Sequence, residues 1–259
     1  MADFLDVLAR DATETLDRGY YEVSTQISTP SVSLKKAILE NKNTSIITEI
    51  KAASPSFGTI RKNFNPEKVA VAMENGGAVG VSVLTEPKHF EGSLFSLTKV
   101  RTAVKLPILM KDIIISPTQL ETASEIGANA VLLIEALFER KYCEYDVHEM
   151  IAQAQSKNLE VLLETHNEDE FHSAINSDAD LIGINNRNLG TLKVDLGVTE
   201  RILEKNDAHG KIIVSESGIK TLADLRFLHE YGAHAFLIGS AIMMAENIEE
   251  KVKEFVTAL

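Results

Sequence analysis

The chain has 259 residues, 44% hydrophobic and 25% charged, enough to bury a large core and a length at which an α/β barrel is routinely one domain. A formal net charge of −12 argues against a broad nucleic-acid surface, which needs clustered Lys and Arg, yet allows an anionic small molecule in a locally cationic pocket. Cys143 is the only cysteine, no apolar run nears the length of a membrane span, and the acidic Met1-Ala2-Asp3-Phe4-Leu5-Asp6 start lacks a signal-peptide pattern, so the expected location is the cytoplasm.

Ahead of the first strand, Phe4, Leu5, Leu8, Ala12 and Leu16 recur near a helical period and predict an amphipathic helix. Pro30 and Ser31 predict the start of a second, shorter helix carrying Leu34, Ala37 and Ile38. Both need an apolar surface, so residues 1–45 are expected as helices packed on the main body. Strand-like apolar runs then fall at residues 46–51, 79–84, 107–112, 130–135, 159–164, 181–185, 211–216 and 235–239. Amphipathic segments follow at 66–75, 94–104, 117–126, 145–156, 169–175, 198–204 and 222–231. Gly76-Gly77-Ala78, Gly127-Ala128 and Gly232-Ala233 supply the glycine that a helix C-terminus favours. Strands with few polar interruptions, each followed by a helix, imply a parallel sheet buried on both faces. Eight such units imply a (β/α)8 barrel, with residues 1–259 as one domain and no linker dividing them. An open doubly wound sheet is the runner-up, but no Gly-x-Gly-x-x-Gly follows the first strand.

In a barrel, functional groups project from the carboxyl ends of the strands. The first strand ends Thr48-Glu49-Ile50-Lys51, so Glu49 and Lys51 share a face, and Ser54-Pro55-Ser56 then breaks into a loop. Other ends present Leu84-Thr85-Glu86, Lys111-Asp112, Glu135, Glu164, Asn185 with Arg187, and Glu216. Charges after buried apolar runs are costly unless paired or functional, and their convergence on one mouth predicts a site there. Ser217-Gly218 and Gly239-Ser240, after the seventh and eighth strands, suit a phosphate. Small residues let backbone N–H groups approach an anion, and a short helix after Gly239-Ser240 would add its positive end. Lys51 and Lys111, ringed by carboxylates, suit a general acid, a charge clamp, a structural ion-pair network or a Schiff-base amine, and pattern alone does not separate these. The seven histidines show no metal spacing, and His166 reads as a loop or helix-start residue; no metal is expected.

These motifs carry a resemblance. Thr48-Glu49-Ile50-Lys51 with Ser54-Pro55-Ser56, Pro107-Ile108-Leu109-Met110-Lys111-Asp112, Leu163-Glu164, Gly183-Ile184-Asn185-Asn186-Arg187-Asn188-Leu189 and Ser215-Glu216-Ser217-Gly218-Ile219 resemble, in order and spacing, the indole-3-glycerol phosphate synthase family of tryptophan biosynthesis. The resemblance runs from the N-terminal helices through Gly239-Ser240. It implies a cofactor-free carboxy-lyase that closes an indole ring on 1-(2-carboxyphenylamino)-1-deoxyribulose 5-phosphate, releasing carbon dioxide, water and indole-3-glycerol phosphate. It implies Lys111 as general acid at the ketone oxygen, Glu164 beside the developing cation and in proton transfer, and Lys51 binding anionic groups and assisting the acid. Glu49 would orient the lysines, Asn185 would hold a substrate hydroxyl, and Glu216 would complete the carboxylate ring. Ser54 and Arg187 would take the anthranilate carboxylate, Phe90 would flank the ring, and Ser217, Gly218, Gly239 and Ser240 would hold the phosphate.

Four positions depart from the family pattern: Ala52 where a basic residue is usual, Met110 for Arg, Ile113 for Phe, and Glu135 for an apolar residue. Glu135 could face inward, in the same mouth as Lys111, or face the helix layer; the helix layer is the favoured placement, where it would cap a helix or pair with Arg140 or Lys141. Two alternatives stay open from the residues: another phosphate-binding barrel enzyme, such as phosphoribosylanthranilate isomerase, or a sugar-phosphate-binding barrel without catalysis. The expected partner is the anionic substrate, with no nucleic acid and no membrane; the oligomeric state is open, a monomer included.

Overall fold

The computed structural model describes residues 3–24, 26–27, 32–54, 58–61 and 64–259, the side chain of Ser54 excepted. The helix start predicted at Pro30 and Ser31, the loop residues Pro55 and Ser56, and the carboxylate-binding role of Ser54 therefore lie outside the described residues.

Eight parallel strands close on themselves: β1 (Ser45–Ile50), β2 (Gly80–Leu84), β3 (Ile108–Lys111), β4 (Ala130–Ile134), β5 (Glu160–Thr165), β6 (Leu181–Asn185), β7 (Ile212–Glu216) and β8 (Ala235–Ile238). The ring closes where Ser45 of β1 pairs with Ala235 of β8, which makes the predicted (β/α)8 barrel. A short antiparallel ladder, Ala53–Ser54 with Gly58–Thr59, follows β1 outside the barrel.

Strand alternation sorts most of the buried apolar strand residues into two cores. Ile47, Leu109, Leu132, Leu162, Leu181, Ile212, Val214, Ala235 and Leu237 fill the barrel interior. Ile46, Ile108, Met110, Val131, Leu133, Leu163, Ile182, Ile213 and Phe236 face the surrounding helices. Met110, where the family often has Arg, is fully buried on that outer side, away from the mouth. The helix layer comprises α3 (Pro66–Asn75), α4 (Leu94–Ala103), α5 (Pro117–Glu125), α6 (Glu135–Glu139), α7 (Val147–Ser156), α8 (Glu168–Ile175), α9 (Gly197–Leu203), α10 (Leu222–Glu230), α11 (Ser240–Met243) and α12 (Ile248–Val256).

The two N-terminal helices pack on the barrel, as their apolar faces require, but at opposite ends. α1 (Phe4–Asp17) lies across the mouth, burying Leu5, Leu8, Ala9 and Ala12 against Ile113, Ile134, Ala136 and Leu137. Ion pairs fasten it: Arg140 to Asp3 and Asp6 at 2.8 and 2.6 Å, and Lys88 to Asp11 and Glu14 at 3.2 and 2.9 Å. α2 (Leu34–Glu40) plugs the far end, where Ser33 and the Leu34 N–H donate to Glu160 at the start of β5. Its N-cap is Ser33, whose Oγ accepts from the Lys36 N–H at 2.9 Å.

α6 and α12 were not anticipated from the sequence. α12 buries Ile248, Val252, Phe255 and Val256, a helical period diluted by the intervening Glu and Lys residues. Among the described residues no helix is long and apolar enough to cross a membrane.

Candidate active site

Alternation carries the apolar interior upward into polar side chains at the carboxyl ends. Continuing inward from Ile47 gives Glu49 and Lys51; from Leu109, Lys111; from Leu162, Glu164; from Leu181, Asn185 and Arg187; and from Val214, Glu216. Register sets their height: Asn185 pairs with Glu216, Leu84 with Lys111, and Ile134 with Glu164. Glu49, Lys51, Lys111, Glu164, Asn185, Arg187, Glu216, Phe90, Ser217, Gly218, Gly239 and Ser240 consequently line one cavity of about 390 Å³. Every catalytic or binding residue that the resemblance implies is in that wall except Ser54, whose side chain lies outside the described residues.

Lys111 stands between two carboxylates, with Nζ 2.6 Å from Glu216 Oε2 and 3.3 Å from Glu164 Oε2. Burial pulls its ammonium pKa down, but Glu216, Glu164 and Glu49 outweigh that and raise it. The same cation, with His166, holds Glu164 below the usual carboxylate range against the opposing effect of burial. Glu216 goes the other way: burial, reinforced by the Glu164 charge, outweighs Lys111 and lifts it to about 7. Three groups around one proton-rich point are thereby set to different protonation states, the arrangement acid–base chemistry requires.

A second pair sits beside the first. Lys51 Nζ lies 2.6 Å from Glu49 Oε1, the same-face contact the strand alternation predicts. Burial would raise the Glu49 pKa, but Lys51 and Lys111 lower it. Gly239 makes room for this pair: a Cβ there would overlap Glu49 Oε1 and lie 2.8 Å from Lys51 Nζ. Its position thus serves the ion pair as well as the turn into α11.

The region read as a phosphate cradle has suitable backbone. Ser217 and Gly218 adopt positive φ, +64° and +89°. A Cβ at Gly218 would overlap Val194, so the loop bridged by Arg187 and Val194 packs directly upon it. In α11 the helix's own bonds begin with Ile242 and Met243 donating to the Gly239 carbonyl. The N–H groups of Ser240 and Ala241 therefore precede the intrahelical ladder.

Some wall residues, two from α1 among them, escaped the sequence reading. Phe4 and Leu8 of α1 reach the cavity, and Phe4 meets His89 edge-on at 5.4 Å. Glu86 accepts from the Lys88, His89 and Phe90 N–H groups at 2.9, 2.7 and 3.0 Å, fixing the turn that presents Phe90. Ile113, expected at the aromatic wall in place of Phe, does line it. His166 also belongs to the site, with Nε2 3.1 Å from Glu164 Oε1, rather than being an incidental loop residue. A histidine two residues beyond a strand-end glutamate, on the same parity, was the available signal.

Glu135 points elsewhere. It shares the outward face of Val131 and Leu133, opens α6, and accepts from Ser173 Oγ of α8 at 2.7 Å. The helix-layer placement holds, but its partner is Ser173, while Arg140 is engaged by Asp3 and Asp6. Asp112 likewise leaves the inward row; Tyr21 and Thr85 donate to it at 3.0 and 2.5 Å, and burial lifts it to about 6.

Comparison with known proteins follows the same direction. Residues 6–255 match the sequence family described as indole-3-glycerol phosphate synthase. A protein of that name from Methanocaldococcus jannaschii is 48% identical over 231 residues, covering 87% of this chain and 82% of the relative. One from Neisseria meningitidis is 45% identical, covering 80% and 77%. Among solved structures, thiamine phosphate pyrophosphorylase from Pyrococcus furiosus superposes with a TM-score of 0.60 at 18% identity, covering 85% of this chain and 96% of that one. At that identity the superposition speaks for the barrel alone.

Proposed function

The chain belongs to the indole-3-glycerol phosphate synthase family, and from that premise we propose that the barrel mouth closes the indole ring with Lys111 as general acid and Glu164 as its electrostatic and proton-transfer partner. The reaction is that of a carboxy-lyase of tryptophan biosynthesis, acting on a small phosphorylated substrate. Family membership sets aside the isomerase and the non-catalytic barrel considered from the sequence.

The observation that carries the assignment of roles is Lys111 clamped between Glu164 and Glu216 in the cavity wall. Attack of the anilino ring carbon on the ketone builds charge on the ketone oxygen and a cation on the ring. A protonated lysine meets the first need and an ionised carboxylate the second. Lys111 keeps its proton at neutral pH, and the alkoxide forming in the transition state is basic enough to take it. Glu164 faces the ring cation until carbon dioxide leaves. Lys51, oriented by Glu49, binds the substrate's anionic groups and assists the acid; Asn185 holds a substrate hydroxyl. Glu216, near its midpoint at neutral pH, completes the carboxylate ring and can exchange a proton with Lys111.

Phe4, Leu8, Phe90 and Ile113 offer apolar contact to the aromatic ring. Arg187 and Ser54 are assigned to the anthranilate carboxylate, and Ser217, Gly218, Gly239 and Ser240 to the phosphate. The same reading makes the chain a monomeric, one-domain cytoplasmic enzyme with neither nucleic acid nor membrane as partner. Support comes from the acidic net charge, the free thiol of Cys143, and the two N-terminal helices that pack on the barrel.

Purified protein is expected to convert the synthetic carboxyphenylamino-deoxyribulose phosphate to a fluorescent indole, and Lys111→Ala to lose that turnover. Wild-type protein without turnover would refute the assignment. Gel filtration and a single cooperative melt test the monomer and the single domain.

A further inference from the structure

Behind Glu164, on the side away from Lys111, lies a second carboxylate reached through an imidazole. His166 Nε2 is 3.1 Å from Glu164 Oε1, an ion-pair distance without full hydrogen-bond alignment. His166 Nδ1 is 3.0 Å from Glu170 Oε2. Glu170 is itself fixed: its Oε2 accepts from the His166 N–H at 2.8 Å and its Oε1 from Asn167 Nδ2 at 2.6 Å. Asn167 caps α8 by accepting from the Glu170 N–H at 2.9 Å. The imidazole is nearly buried and is not part of the cavity wall.

We propose that His166 and Glu170 are positioning residues for Glu164: an imidazolium locked by Glu170 holds one Glu164 oxygen from behind, so that the other is presented to Lys111 and the substrate. The proposal rests on Glu164 acting in the reaction as assigned above. A carboxylate opposite each ring nitrogen calls for a donor at each, and only the doubly protonated ring provides both. The two Glu164 oxygens are thereby divided, Oε2 to Lys111 and Oε1 to His166. That division fixes the carboxylate plane and keeps Glu164 ionised in a site whose burial favours the neutral acid.

The other charges around the chain are arranged consistently. On the cavity side, Lys111 of β3 meets Glu164, with Glu49 and Glu216 nearby and Arg187 beyond β6. On the helix side, Glu135 and Glu139 of α6 face Glu170, adding negative charge behind the imidazolium. Burial alone would depress the His166 pKa; Glu164 and Glu170 overcome it and lift it to about 10.

Imidazole nitrogen resonances of the wild-type protein, assigned by difference with His166→Gln, provide a test without turnover. Both ring nitrogens are expected to stay protonated through about pH 8, and Glu170→Gln to lower the His166 midpoint by about one pH unit or more. In turnover, His166→Gln is expected to lower kcat about 10- to 100-fold with KM within about threefold, and to move the acid limb of the kcat profile to higher pH. Glu170→Gln leaves the imidazolium charged on the acid side but no longer locked, so it should lower kcat by less than His166→Gln and leave the limb in place. A His166 that titrates near the ordinary histidine value, or an acid limb unmoved in His166→Gln, overturns the proposal. Should His166→Gln fail to fold, the resonances assigned by elimination and the Glu170→Gln kcat still decide: a His166 titrating near the ordinary value, or an unchanged kcat, overturns the proposal. Glu164→Gln separates the premise: near-normal turnover there refutes the role of Glu164, whereas an inactive Glu164→Gln beside an unshifted His166→Gln refutes the positioning alone.

Discussion

Replacing Lys111 by Met removes a cation that touches Glu164 and Glu216 together. At 3.3 and 2.6 Å respectively, and an effective dielectric near 20, the gross attractions are roughly 5 and 6 kcal/mol. Desolvation offsets most of this, and stripping one partner from a buried pair costs about 3–5 kcal/mol when the stranded charge must remain. Here it need not remain, because Glu216, already raised by burial and by the Glu164 charge, takes up a proton once Lys111 is gone. The variant is therefore expected to fold, with a stability deficit that depends on pH. Carboxylates whose folded pKa is raised contribute stability below their unfolded value, and that contribution is lost as pH rises through the folded value. The melting temperature should thus fall further behind wild type at about pH 8 than at about pH 6. Loss of a general acid costs ~100- to 10,000-fold in rate, about 2.7–5.4 kcal/mol of barrier. Indole fluorescence reads the product directly, since the chain has no Trp and only five Tyr. A kcat within about threefold of wild type would remove Lys111 from the proton transfer. A deficit in melting temperature that shrinks as pH rises would refute the charge argument.

Three further outcomes follow from other parts of the site. Ser240→Asp places a like charge at the phosphate end and is expected to raise KM by about tenfold or more while kcat stays within about threefold, because the phosphate is remote from the reacting carbons; unchanged steady-state constants would displace the phosphate from α11. Gly239→Ala drives a Cβ into Glu49 and Lys51, so turnover should drop about tenfold or more with a melting temperature within a few degrees of wild type, and full activity would mean the pair can shift without consequence. Glu135→Gln should leave both limbs of the kcat profile in place, and because burial raises the Glu135 pKa above 4.5, its contribution to stability is lost as pH rises past that value; the variant's melting temperature should decline less steeply with pH, and a moved kinetic limb would put Glu135 in the catalytic network.

The alternation of apolar runs with amphipathic segments was enough to fix the barrel, because a period of two and a period near 3.6 are properties of the backbone that side chains must follow. The same parity placed Glu49 with Lys51 on one face and put Lys111, Glu164, Asn185 and Glu216 at strand ends, so the polar ring was legible before any tertiary contact. Parity within a strand does not say which face is the interior, and that is why Glu135 stayed ambiguous until Val131 and Leu133 were seen to pack on helices. Nor does it say which strands stand opposite one another. That Lys111 bridges Glu164 and Glu216, strands apart in the chain, follows only from closure of the ring. The reach of α1 over the mouth, bringing Phe4 and Leu8 into the wall, depended on where its apolar face found a surface, and α2 found its surface at the opposite end. Sequence determined which side chains could act, since local periodicity governs their direction; tertiary structure decided which of them meet, since charges buried at short range take their protonation from neighbours that only the closed barrel supplies.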